Sequence, residues 1–236
     1  MPYKKNYKKR TYKKKRYIPR EPSYRQLAPK AVGMSKSPVP AHKFIHSKYV
    51  ATTRAINPGA GIAGIHVWSC NGMYDPDITS TGHQPMGFDE WMMFYEHYTV
   101  LSAKITVSFM PNFTDSTANQ YVCGIYTDSN TTSSSTVTAL LEQPGTLYSY
   151  LTPQATKPLK LTKTWAASSF FGKTKADVMA ESELKGSDAA NPSEQAYWHT
   201  FVAASDYTGI DAASINLNVQ IEFFSVLTER LTIGQS

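Results

Sequence analysis

The chain has 236 residues and a formal net charge of +6 that is very unevenly distributed. Residues 1–30 contain 12 Lys or Arg and one acid, a net +11 (12 − 1), and the rest contains 12 basic and 17 acidic residues, a net −5 (12 − 17). No run approaches about 20 apolar residues, and no apolar segment follows the charged start, so we expect neither membrane insertion nor a signal peptide.

Residues 1–40 are predicted to be a basic arm and linker, and residues 41–236 a single domain. Like charges at the density of the arm oppose a compact fold, so we expect it to be disordered alone. A solubilising tail is one interpretation, but the charge favours a polyanionic partner. Its lysines and arginines would bind nucleic-acid phosphates without reading sequence, and its tyrosines would stack on unpaired bases, which favours single strands.

The predicted nucleic-acid-binding residues of the arm are Lys4, Lys5, Lys8, Lys9, Arg10, Lys13, Lys14, Lys15, Arg16, Arg20, Arg25, Tyr7, Tyr12 and Tyr17. Within this set, the run Lys13, Lys14, Lys15 and Arg16 is also typical of a nuclear localisation signal.

The histidines and acids that follow the linker do not have the spacing of a metal site, so none is predicted there. His42 and His46 would share one face of a strand but lie about 13 Å apart. Asp75 and Asp77 lack a full set of oxygen ligands, so we interpret them as part of a solvated loop. His83 is predicted to serve in packing or hydrogen bonding.

The segment 82–111 reads GHQPMGFDEWMMFYEHYTVLSAKITVSFMP and organises the domain. Its first half predicts a short helix with Asp89 and Glu90 in the first turn, where negative charge is favoured. The helical face would consist of Phe88, Trp91, Met92 and Tyr95. Its second half alternates between polar and apolar residues, which predicts a strand with one buried face. The apolar positions are Leu101, Ala103, Ile105, Val107 and Phe109.

This segment, with the basic start and the strand order, resembles the capsid proteins of circovirus-like circular single-stranded DNA viruses. The resemblance implies a jelly roll whose sheets form the wall of a shell and whose arm points inward to the genome. It also implies a homo-oligomer of roughly sixty copies in an icosahedral T=1 shell. Further implications are a virion location, a host nucleus stage with a nuclear import receptor as partner, and a host-cell receptor that the sequence does not identify.

The predicted fold class is all-β: a single eight-stranded jelly roll of two antiparallel sheets behind the disordered arm. The predicted strands are 43–54, 62–69, 98–110, 120–127, 146–152, 158–165, 196–204 and 214–226. Residues 137–141 are predicted to form a helical turn, and residues 172–195 a long excursion over the surface. Lys43, Lys48 and Arg54 are expected to line the same surface as the arm.

The two cysteines, Cys70 and Cys123, are predicted to be buried free thiols. Motifs for nucleophiles, phosphate loops and metal clusters are missing from the sequence, so neither enzymatic activity nor a metal or cofactor is predicted.

The leading hypothesis is therefore a capsid subunit that packages circular single-stranded DNA through its arm. One alternative is the capsid protein of a small RNA or satellite virus. Another is a cellular nucleic-acid-binding protein with a basic arm, which would require stacking groups on the folded domain. The four tryptophans are expected to be core residues instead, namely Trp68, Trp91, Trp165 and Trp198. The basic arm and the missing signal peptide argue against a secreted carbohydrate-binding jelly roll.

Overall fold

The computed structural model of the protein describes residues 39–79, 82–110, 120–152, 155–206 and 214–232. Residues 1–38, which hold nearly all of the predicted arm and linker, lie outside this part of the chain. Within the described ranges, no helix has both the length and the apolar character needed to cross a membrane.

Within the described residues, eight strands form the body of the domain, and all eight were expected from the sequence. The strands are β1 (Lys43–Ile56), β2 (Gly64–Ser69), β3 (Tyr95–Met110), β4 (Tyr121–Asp128), β5 (Leu147–Leu151), β6 (Leu159–Ala166), β7 (Tyr197–Ala204) and β8 (Ile215–Arg230). The main differences are that β3 begins at residue 95 rather than 98, and that β8 continues to residue 230 rather than 226.

Short helices occupy some of the connections between the strands. They are α1 (Phe88–Met92), α2 (Val137–Leu141), α3 (Ala167–Phe170) and α4 (Lys175–Ala180), with a 3-10 turn at Ser182–Leu184. The sequence predicts α1 and α2 but not the other three. The predicted surface excursion over 172–195 therefore contains regular structure, with Val178 and Leu184 buried in the core.

The strand order defines a jelly roll. The first sheet has the order β1-β8-β3-β6 and the second sheet the order β2-β7-β4-β5, with antiparallel pairing throughout. The first strand pairs with the last, the second with the seventh, the third with the sixth and the fourth with the fifth. This is a long antiparallel hairpin wrapped into two sheets, so the predicted fold class is confirmed.

The pair β3 and β8 forms the centre of the first sheet, with Tyr95 opposite Arg230 at one end and Met110 opposite Asn216 at the other. Alternate residues of both strands are buried between the sheets, as the sequence predicts. The most deeply buried positions are Ile105, Val107, Phe109, Leu217, Val219 and Ile221. The residues between them are half-buried and polar, so the other face of this sheet is wet.

The second sheet differs because both faces of its central strands, β4 and β7, are covered, whereas its edge strand β5 is largely exposed. Strand β7 is buried over seven consecutive residues and β4 over six. On the side away from the first sheet, Val122 and Phe201 pack in a separate cluster with Val137 and Leu140 of α2. This cover explains why the buried part of β4 is a continuous apolar run and why β7 is apolar apart from the buried His199 and Thr200.

The core contains three of the four tryptophans, since Trp68, Trp165 and Trp198 are buried. The prediction for Trp91 is wrong, because its side chain is 38% exposed. Helix α1 is so short that only Phe88 and Met92, one turn apart, face the core. Trp91 lies on the outer side of the helix, where the ammonium group of Lys43 is 5.7 Å from the centre of its ring.

Both cysteines are buried and free, which confirms the prediction for Cys70 and Cys123. Burial raises the pKa of each thiol well above its usual value, since an apolar environment disfavours the thiolate.

Candidate nucleic-acid interface

The side of the first sheet that faces away from the core carries mostly polar side chains, and no described element covers it. We call this surface the outer face. It consists of His46, Lys48, Val50, Ser102, Lys104, Thr106, Ser108, Lys160, Thr162, Thr164, Asn218, Gln220, Glu222 and Phe224. Each of these residues is half-buried or exposed. Hydroxyl, amide and ammonium groups arranged on a flat sheet suit a hydrogen-bonding, charged partner.

Charge is segregated between the two sheets. The strands of the first sheet contain seven basic and three acidic residues, a net +4 (7 − 3), whereas those of the second sheet contain one acid and no base, a net −1. On the outer face itself, Lys48, Lys104 and Lys160 accompany a single carboxylate, Glu222. Because residues 31–236 as a whole have a net charge of −5, the positive outer face is an exception within the domain. A polyanion would therefore be attracted to this side of the domain.

The single carboxylate of the outer face is held between cationic neighbours. Lys104 Nζ lies 2.6 Å from Glu222 Oε2, and Gln220 Nε2 donates to Glu222 Oε1 at 2.7 Å. Lys48 of β1 lies directly opposite Glu222 of β8 in the register of the two strands. The hydrogen bond from Lys104 is the main reason that the pKa of Glu222 is lowered, with Lys48 adding to the effect. Glu222 thus remains an anion whose charge the two lysines more than offset.

Only one of the three basic residues expected beside the arm lies on the outer face, and that residue is Lys48. Lys43 has the opposite orientation in β1 and lies over Trp91. Arg54 would share the face of Lys48 in a regular strand, but the register of β1 against β8 shifts between Ala51 and Arg54. Arg54 instead pairs with a buried carboxylate, so neither Lys43 nor Arg54 lies on the outer face. Because the arm lies outside the described residues, the expectation that these residues line its surface stays a prediction.

That carboxylate belongs to Asp77, which the sequence analysis assigns to a solvated loop. The structure corrects this interpretation, because the Asp77 side chain is fully buried. Arg54 Nη2 lies 2.9 Å from its Oδ2, and His66 Nε2 lies 2.6 Å from its Oδ1. The ring of His66 stacks on Trp68 with centroids 4.4 Å apart. This cluster fastens the loop after β2 to both sheets.

The sequence offers a weak signal for this cluster and none for its geometry. His66 interrupts an otherwise apolar strand, which marks a buried polar group that needs a partner. Its partner lies 11 residues away and Arg54 lies on another strand, so spacing alone does not join the three. His83, predicted as a packing residue, lies with its ring 4.7 Å from that of Tyr49.

A second group of potential ligands occurs where β3 begins and β8 ends. Ligand atoms of Glu96, His97 and Glu229 lie within 4.8 Å of one another. The Glu229 carboxylate already accepts from Lys185 Nζ at 2.5 Å and lies 3.1 Å from His97 Nδ1. Lys185 is also the main reason that the pKa of Glu229 is lowered. Because the Glu229 carboxylate is already engaged by Lys185 and His97, we interpret the group as an exposed ion-pair cluster and do not assign a metal to it.

The predicted nucleic-acid-binding and nuclear localisation residues of the arm lie outside the described residues, so those assignments remain predictions. The described chain begins at Val39 and enters the first sheet at Lys43. The cationic arm is therefore covalently continuous with β1, the edge strand of the sheet that carries the outer face.

Neither a protein-family model nor a curated protein matches the chain. Among solved structures, it is similar to a chain of Desmodium yellow mottle tymovirus, with a TM-score of 0.42, 13% identity, and coverage of 87% of this chain and 99% of the other. It is also similar to a chain of Mud crab tombus-like virus, with a TM-score of 0.47, 11% identity, and coverage of 85% of this chain and 97% of the other. A third similar structure is the decameric BFDV capsid protein, with a TM-score of 0.40, 11% identity, and coverage of 80% of this chain and 99% of the other.

We predict that Asp77→Ala destabilises the domain by about 2–4 kcal/mol. Removing one partner of a fully buried pair costs roughly 3–5 kcal/mol, and the 28% exposure of the Arg54 side chain reduces that figure. Urea unfolding of the variant and of the parent protein measures the difference. Asp188→Ala, which removes an exposed carboxylate, is the matched control. Equal midpoints for Asp77→Ala and the parent would contradict a stabilising role for the cluster.

Proposed function

We propose that this protein is the subunit of a small icosahedral viral capsid and that it packages circular single-stranded DNA through its basic arm. The observation that carries the proposal is the covalent connection between a +11 segment and the cationic sheet of a jelly roll, whose outer face no described element covers. The folded domain would build the shell, and the arm with the outer face would meet the nucleic acid.

In a closed symmetric shell, the uneven charge of each subunit would produce a cationic interior that can package a nucleic acid. Identical interfaces repeated around a shell place every copy in the same orientation. If the outer face points inward, each of roughly sixty copies in the simplest shell adds its arm to a common cationic interior. The phosphates neutralised in this way release counterions, so binding does not depend on base sequence.

A single-stranded genome suits the composition of the arm better than a duplex does. Tyrosines stand between the basic clusters, and aromatic rings bind unpaired bases by stacking. The resemblance to circovirus-like capsid proteins implies that the genome is DNA rather than RNA. It also implies the T=1 shell, the virion location and assembly in the host nucleus. The capsid of a small RNA virus is the alternative within the same class of protein.

A cellular nucleic-acid-binding protein is the second candidate, and one observation favours it. Such a module needs aromatic groups on the surface of its folded domain, and Phe44 is 54% exposed beside Phe224. The two candidates differ in whether the protein forms a shell.

We predict that the purified protein, mixed with single-stranded DNA at low salt, assembles into closed particles of uniform diameter. Analytical sedimentation and negative-stain electron microscopy test this. A protein that remains a monomer or dimer with and without the DNA would favour the cellular nucleic-acid-binding protein.

Deleting residues 1–30 is expected to leave the jelly roll folded and to weaken binding of single-stranded DNA. The deletion removes a net charge of +11, so the plot of log affinity against log salt should become flatter, by about 0.7 in slope for each lost phosphate contact. Circular dichroism checks the fold, and fluorescence anisotropy over a series of salt concentrations measures the slope. Unchanged affinity and slope would place the binding site on the domain alone.

Residues 1–30 fused to a fluorescent cargo are expected to accumulate in the nucleus, because the Lys13–Arg16 run is typical of import signals. The same fusion with Lys13, Lys14, Lys15 and Arg16 changed to glutamine should stay in the cytoplasm. Confocal imaging gives the ratio of nuclear to cytoplasmic signal, and a cytoplasmic parent fusion would refute the import signal.

A further inference from the structure

A shallow depression of about 500 Å³ lies on the outer face. It follows a row of the first sheet in which Phe224 of β8 is opposite Ser102 of β3, which is in turn opposite Ala166 of β6. Because Ser102 and Ala166 have short side chains, space remains beside the Phe224 ring. The volume is in the range of roughly 300–1,000 Å³ that is usual for small-ligand sites.

One side of the depression is aromatic. The ring of Phe224 lies 4.7 Å from that of His46 and 5.8 Å from that of Phe44, and the two phenyl planes are nearly parallel. Phe44 is 54% exposed and Phe224 is half-buried, so this aromatic group is not part of the core. Exposed rings on an otherwise polar sheet are suited to a flat partner that stacks on them.

The other side of the depression is charged and polar. It contains the Lys104–Glu222 ion pair and the hydroxyl group of Thr164. Donors and acceptors are therefore next to the aromatic side, and the edge of a nucleobase carries both kinds of group. Lys48, adjacent to Glu222 in the sheet, adds a cation for a phosphate.

We propose that this depression binds an unpaired nucleobase of the packaged strand, with the base ring against Phe224 and its edge toward Lys104 and Glu222. The inference rests on the proposed function and adds a stacking site on the folded domain to the binding by the arm.

Charge and composition favour a nucleic acid over the other possible occupants. The basic arm would be repelled by Lys48, Lys104 and Lys160, which outnumber the single Glu222 on this face. A second copy of the chain would need an apolar contact core, whereas this face consists mainly of Ser, Thr, Asn, Gln and Lys. A polyanion with exposed bases complements both the net charge and the aromatic rings.

The test compares Phe224→Leu with the parent in the full-length protein. Leucine keeps an apolar side chain but has no ring to stack. Fluorescence anisotropy with labelled oligothymidylate and oligouridylate should show a roughly 5- to 150-fold loss of affinity for both, the size of one lost base–aromatic stack. Tyr148→Leu is the matched control, because this 49% exposed tyrosine lies on β5 at the edge of the second sheet and should leave the affinity unchanged.

A second pair of variants tests the charged side. Lys104→Gln is expected to weaken binding, because it removes a cation and leaves Glu222 to repel the strand. Lys173→Gln is the control, because Lys173 forms a similar ion pair with Glu181, with Nζ 2.7 Å from Oε2, and is not part of the outer face. This variant should leave binding unchanged. Equal behaviour of these two variants would count against the assignment of Lys104.

Photo-crosslinking of the unaltered protein to an oligonucleotide with 5-iododeoxyuridine gives a readout that needs no substitution. Cross-links to His46 or Phe224, mapped by mass spectrometry, are expected, and cross-links confined to residues 1–30 would overturn the proposal. Parent-like DNA affinity of Phe224→Leu would also overturn it, even if that variant altered assembly without nucleic acid. Either result would leave packaging by the arm intact, whereas failure of the parent protein to bind any single strand would refute the proposed function itself.

Discussion

The antiparallel pairing of β3 with β8 is the interaction on which the rest of the structure depends. These two 16-residue strands fill the middle of the first sheet, and their alternate residues supply a large part of the buried core. The same alternation leaves the opposite side of the sheet polar. One pattern of residues thus fixes the sandwich and also exposes the outer face, where the first and sixth strands add lysines.

The two sheets have different roles because they are covered differently. The central strands of the second sheet, β4 and β7, are buried on both sides, by the first sheet and by the cluster around α2, and the sheet carries almost no charge. No described element covers the other side of the first sheet, and this sheet holds all seven basic residues of the strands. Asp77, Arg54 and His66 connect the loop after β2 to both layers without adding charge to the outer face. The domain is consequently polarised, because every basic residue of the described strands belongs to the first sheet.

Sequence reasoning works well here wherever a local pattern determines the structure. Alternation in β3 and β8 and apolar runs in β4 and β7 are sufficient to place the strands and the fold class. It fails where the orientation or burial of a side chain depends on residues that are distant in the sequence. Arg54 leaves the outer face through a register shift, and Asp77 becomes buried because Arg54 and His66 meet it. Trp91 turns outward because α1 ends too early for a second buried turn. The depression beside Phe224 is likewise invisible in sequence, since its sides come from β1, β3, β6, α3 and β8.

The two buried thiols have a consequence for the environments that the domain can tolerate. With no disulfide between Cys70 and Cys123, the fold neither gains nor loses a covalent link when the surrounding redox potential changes. Both side chains are fully buried, so oxidants and other thiols do not reach them, and burial also raises the pKa of each thiol and so disfavours the reactive thiolate. The same folded domain can therefore pass between reducing and oxidising surroundings without rearranging its core.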